Sequence, residues 1–237
     1  MFLGLRVKFY KYMFSAIMGT ILAPAVRPIQ YAALKLVKRF RKKGDQRPII
    51  ATADHIMHHI VLTLGFKTFT DAKFRKLAEF GKISIEEHDR IFNEIQVTWI
   101  CLILFYIDAV KSLVPLSDWH FWQDVAKYIP KDFEDILMGY GADERNAKMM
   151  TQLIDMRYKE YEALTHAVQE TNDQYGIEFK SLSWEFKRIT AYMQAAAIGT
   201  TDHIRRGKIT EEDPLIKFLT EQLLFVERRI SRFIKKL

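Results

Sequence analysis

Apolar positions recur every three or four residues along nearly the whole chain, and strict alternation is almost absent. That period belongs to helices with one buried face, so the pattern predicts an all-α fold. The clearest case closes the chain: Ile216, Leu219, Leu223, Val226, Ile230, Phe233 and Leu237 follow steps of three and four in turn. Such a heptad seam suits a helix of about 211–236 packed nearly parallel or antiparallel to another long helix. Packing inside a bundle is the favoured reading. A homodimer or another protein partner docked on this seam is the alternative.

Other elements follow from period and punctuation. A helix is expected over about 49–64, stopped by Gly65, and another over 71–80, capped by Thr70. A long one over 85–112 holds "VTWICLILFYI", an 11-residue apolar run. A membrane span needs about 20 such residues, so this reads as a core helix. Pro115 ends that unit, and Ser117 is expected to cap the Trp-rich "DWHFWQDVAKYI". Pro130 should open a short helix reaching Met138. A helix over 143–174 carries Ala147, Met150, Ile154, Tyr158, Tyr161, Leu164 and Val168 near one stripe. Gly176 should break it, and the next helix, over 178–198, should end at Gly199.

Two phrases nearly repeat: "GKISIEEHD" at 81–89 and "GKITEED" at 207–213. Gly81 and Gly207 are expected to end helices in the left-handed conformation, where a Cβ would clash. Ser84 and Thr210 are expected as N-caps, with Glu87 and Asp213 three residues on. A phosphate loop would need a glycine five positions earlier, where Lys76 and Asp202 stand. The phrases therefore read as two helix–helix corners.

The charge pattern changes the picture at the N-terminal end. Residues 1–43 contain Arg6, Lys8, Lys11, Arg27, Lys35, Lys38, Arg39, Arg41, Lys42 and Lys43 and no acid, whereas the whole chain carries a net charge of +7. A near-neutral body thus follows a strongly cationic segment, which seeks an anionic surface. Residues 12–26 form a 15-residue uncharged run, too short to span and ending near Pro24. After Pro28, Ile29, Ala32, Ala33, Leu36, Val37 and Phe40 share one helical face, with Lys35, Lys38, Arg39 and Lys42 opposite. That is the pattern of a helix lying in a membrane interface. Competing readings are a basic helix packed on the body, a cleaved export or organelle-import segment around Ala23-Pro24-Ala25, and a nucleic-acid binder, for which no recognised motif is present.

Candidate chemistry is sparse. Cys101 is the single cysteine, so no internal disulfide forms, which fits a reducing compartment. No CxxC, HExxH, GxSxG or Gly-rich nucleotide loop occurs. Histidines are the exception. In "DHIMHH", His55 and His59 are four apart, the spacing with which two imidazoles grip one metal, and Asp54 and His58 form a second such pair. They point away from the apolar side of Ile49, Ala53, Ile56, Ile60 and Leu64, so they are expected at the surface. Glu162 and His166 could lend a further pair of ligands. "HD" at 88–89, with histidines about 30 residues upstream, resembles the metal-dependent HD phosphohydrolases, which are also all-helical. In that family the pair follows an apolar helical run, whereas here it opens a helix, and the family is not adopted.

The expectation is an all-α multi-helix bundle with long antiparallel helices over 48–237, preceded by a basic amphipathic helical segment over 1–47. The leading function is a non-catalytic membrane-associated scaffold or interaction protein, held to an anionic membrane by Arg6, Lys8, Lys11, Lys35, Lys38, Arg39, Arg41, Lys42 and Lys43 on the cytoplasmic side. No cofactor is then required. The alternatives are a metal-dependent hydrolase or oxidase holding a divalent ion on Asp54, His55, His58 and His59, and, least favoured, a nucleic-acid binder.

Overall fold

The computed structural model describes residues 32–36, 38, 45–175, 183–210 and 212–237. These form an all-α bundle with no strand among the described residues. Residues 32–36 and 38 are helical. Helix α1 runs over Arg47–Thr70 and contains a π-helical stretch, Met57–Leu62. α2 covers Ala72–Leu77 and leads through a 3₁₀ turn, Phe80–Lys82, into α3, Ile85–Ala109. α4 is Leu116–Gly139, α5 Glu144–Tyr175, α6 Trp184–Arg205 and α7 Pro214–Lys236.

α3 is the central post. Every residue from Ile95 to Ile103 is buried, because α1, α4, α5, α6 and α7 all pack against it. A helix that must be apolar nearly all round is one surrounded by others. α6 runs antiparallel to α3, as shown by the pairs Thr98–Thr200, Asp108–Arg188 and Ser112–Glu185. α7 returns antiparallel to α1, with Phe233 on His55 and Gln222 by Thr68. The heptad seam is taken up within the chain: Leu219, Leu223, Val226, Ile230 and Phe233 are fully buried. α1 and the α3 unit, Ile85–Leu113, are long and apolar enough to cross a membrane by length and composition; 56% and 78% of their apolar windows are buried in the bundle.

Several boundaries differ from expectation, for one recurring reason. Gly65 does not stop α1, which continues to Thr70. Its absent side chain lets α3 approach: a Cβ there would lie 3.3 Å from Gln96 Cγ. Gly199 likewise sits inside α6, where a Cβ would fall 2.6 Å from Tyr161 Cε1. Both glycines are close-approach positions rather than ends. Pro130 lies within a continuous α4, and Pro115 occupies its N-cap position. Asp71, not Thr70, caps α2, accepting from the Lys73 and Phe74 amides. Gly176 lies outside the described residues.

The two near-repeated phrases do mark corners, with altered chemistry. Gly207 takes a left-handed φ of +76°, preceded by Arg206 at +54°. At the other corner the left-handed residue is Glu79, φ +56°, and not Gly81. Ser84 caps α3, its hydroxyl accepting from the Glu87 amide. Asp213 rather than Thr210 caps α7, accepting from Leu215 N–H at 2.9 Å. The corners also meet. Arg206 pairs with Glu87, Arg205 holds Asp213 at 2.8 Å and donates to the Leu77 carbonyl at 2.9 Å, and Arg90 donates to the His203 carbonyl at 2.9 Å.

Candidate functional site

Three places gather the chain's polar chemistry. The first is the histidine-bearing stretch of α1. Where the helix widens at Met57–Leu62, backbone carbonyls lose their usual partners, and the Thr63 hydroxyl takes that of His58 at 2.8 Å. His55 is buried, contrary to the surface position expected, because α7 covers this side of α1. Its ring stacks on Phe233 at 4.8 Å and lies 4.5 Å from the His59 ring. Asp54 and His58 pair at 3.3 Å, half-exposed. The hydrogen bond raises the His58 pKa and lowers that of Asp54.

Asp132 of α4 faces this pair. It is buried, its Oδ2 finds no hydrogen-bond partner among the described residues, and burial with repulsion from Asp54 pushes its pKa up to about 6. The structure therefore brings Asp54, His55, His58 and His59 to one helical stretch. Among the described residues no three His, Cys, Asp or Glu side chains are placed to hold a metal ion. Glu162 points towards Arg188 at 3.9 Å. His88 stacks on Phe80 and its Nε2 meets the Phe80 carbonyl at 3.0 Å, closing the corner that precedes α3.

The second is a polar seam that periodicity did not reveal. Arg157 of α5 grips the buried Glu94 of α3 with two bonds, 2.8 and 3.1 Å, and reaches Glu160 at 3.1 Å. Glu160 in turn holds His203 Nε2 at 2.8 Å. One turn further, Thr98, Tyr161 and Thr200 share hydroxyl contacts of 2.8–3.3 Å, packed where Gly199 makes room. Cys101 lies beside this seam, its Sγ donating to the Ile154 carbonyl; burial keeps the thiol protonated. The available signal was the charge of Glu94 and Arg157 inside otherwise apolar stripes. These groups satisfy one another across the helix contacts, so they orient helices.

The third is the contact of the basic segment with the body. Leu34 is buried and belongs to the core. Lys38, expected on the cationic side that reaches to headgroups, is instead turned inward: its Nζ lies 3.2 Å from Asp118 and over the Phe121 ring at 5.3 Å. Residues 34 and 38 are one turn apart, so together they make one docking stripe. Lys35, Ala32, Ala33 and Leu36 remain exposed, Leu36 at 56%. Arg6, Lys8, Lys11, Arg39, Arg41, Lys42 and Lys43, with the 12–26 run, lie outside the described residues.

The chain matches no protein-family model, no curated protein and no solved structure.

Proposed function

We propose that this protein is a membrane-associated helical scaffold or interaction protein, whose bundle is held at an anionic bilayer by its cationic segment. One observation carries the reading. The helical residues 32–36 and 38 rest on the body through Leu34 and Lys38, which leaves Ala32, Ala33 and Leu36, from the apolar side of the amphipathic pattern, facing outward. An apolar stripe with that outlook beside an acid-free run of lysines and arginines suits the boundary between headgroups and acyl chains. Each cation held near an anionic leaflet contributes about 1 kcal/mol, so the cluster Lys35, Arg39, Arg41, Lys42 and Lys43 would retain the body by charge alone.

The test is flotation of the full chain with vesicles of phosphatidylcholine, with and without phosphatidylserine. Association should require phosphatidylserine, weaken with salt, and be lost when Lys35, Arg39, Lys42 and Lys43 are replaced by Glu. Equal behaviour of the replaced chain, or no flotation at all, would overturn the reading.

A further inference from the structure

Large apolar side chains exposed on the surface are unevenly placed. Ten are exposed among the described residues, and five gather at one end of the bundle: Leu36, Leu113, Leu116, Trp184 and Phe186. Leu113 and Leu116 sit in the turn from α3 to α4, and Trp184 and Phe186 in the first turn of α6. The Ser112 hydroxyl donates to Glu185 at 2.8 Å, which sets these two tips side by side. Lys38 on Asp118 places the basic helix two residues beyond Leu116. The opposite end, at the stitched corners, is closed by Arg205–Asp213 and Arg206–Glu87 and carries Ile85 of this group.

We infer that this end is a bilayer-docking platform: Leu113, Leu116 and Trp184 enter the headgroup region of an anionic membrane beside the basic helix, fixing how the body stands on the lipid. The inference rests on the membrane reading above and adds a second contact, made by the body itself. Three features favour lipid over a protein partner. The apolar groups are protruding tips on two turns rather than the lining of a groove, which suits a fluid surface. Of the nearby acids, Asp118 is paired with Lys38 and Asp108 with Arg188, which leaves Glu185, accepting from the Ser112 hydroxyl, against the exposed Lys35 and Lys111. The rim is also continuous with a chain segment that has ten cations and no acid. Tryptophan at such a boundary keeps its ring in the apolar zone and its N–H in the wet one.

Trp184 supplies its own probe, being 65% exposed, whereas the other three tryptophans, Trp99, Trp119 and Trp122, are at most 5% exposed. The full chain is mixed with phosphatidylserine vesicles carrying brominated lipids, and tryptophan emission is followed. We expect a blue shift and quenching in the wild type, both absent in Trp184→Phe. Leu113→Glu with Leu116→Glu should weaken vesicle binding several-fold, with an unchanged thermal melt. A chain that floats with unquenched Trp184 would overturn the platform and leave the charge-driven association standing. A chain that never floats would end both. Shielding of Trp184 without lipid, in step with a concentration-dependent rise in mass, would assign the tips to a second copy and also overturn the platform.

Discussion

Arg157 and Glu94 meet through a bidentate bond, 2.8 and 3.1 Å, between α5 and the central α3. Glu94 is buried and Arg157 nearly so, so neither can exchange its partner for bulk water. A buried pair of this kind adds little net stability, yet removing Glu94 leaves the partly buried Arg157 with only its Glu160 contact. Glu94→Gln should therefore lower unfolding free energy by about 3 kcal/mol, measured by urea denaturation. Replacing both together, Glu94→Leu with Arg157→Met, should cost clearly less than the single change. A double variant as unstable as the single one would argue that the pair is a true source of stability.

Gly199 and Tyr161 give a second expectation. Alanine is ordinarily the better helix residue by about 1 kcal/mol. Here its methyl would lie 2.6 Å from a fully buried ring. Gly199→Ala should destabilise by about 1–3 kcal/mol in chemical denaturation, the usual range for overpacking a core. Gly65→Ala, with 3.3 Å to the flexible Gln96 side chain, should be much milder.

Asp132 makes stability depend on pH near neutrality. Its folded pKa, about 6, exceeds the ordinary carboxylate value, so the folded state binds the proton more tightly. The contribution favours folding at low pH and is lost as pH rises from about 4 through 6. Above that range the ionised carboxylate opposes folding. Asp132→Asn should raise the melting temperature at pH 8 more than at pH 4.5. An equal effect at both pH values would show that ionisation is not the cause.

Asp213 acts in the opposite sense. The Arg205 hydrogen bond and the Leu215 amide hold its pKa below the ordinary value. That stability is present at neutral pH and is lost as pH falls through the depressed folded pKa. Asp213→Ala removes both the cap of α7 and the partner of Arg205, and should cost about 2 kcal/mol at pH 7. Asp213→Asn, which keeps a capping oxygen, should retain part of that and flatten the acid limb of the stability curve.

The histidines and glycines show where local reading stops. Spacing placed His55 and His59 on one face correctly, and their rings do lie 4.5 Å apart. It also placed them at the surface, because the widest apolar stripe of α1 was assigned to the core. α7 covers the other side as well, with Phe233 on His55, and α1 is buried on more than one face. Glycine has two uses, to end a helix or to admit a neighbour, and the neighbours of Gly65 and Gly199 are at least 31 residues away in the chain. Lys38 is similar: its position opposite an apolar stripe is local, whereas its turn towards Asp118 depends on α4.

By itself the sequence determined the helical class, the heptad stripe of α7, the positions of the two corners and the split between a cationic segment and a near-neutral body. All of these are short-range or additive properties, readable from neighbours within a turn or from counting charges. Tertiary structure alone decided which glycines carry a helix onward, that Arg157 answers Glu94, that the two corners are tied by Arg205 and Arg206, and that five apolar side chains share one end. Those outcomes join residues tens of positions apart, where no period survives to announce the pairing.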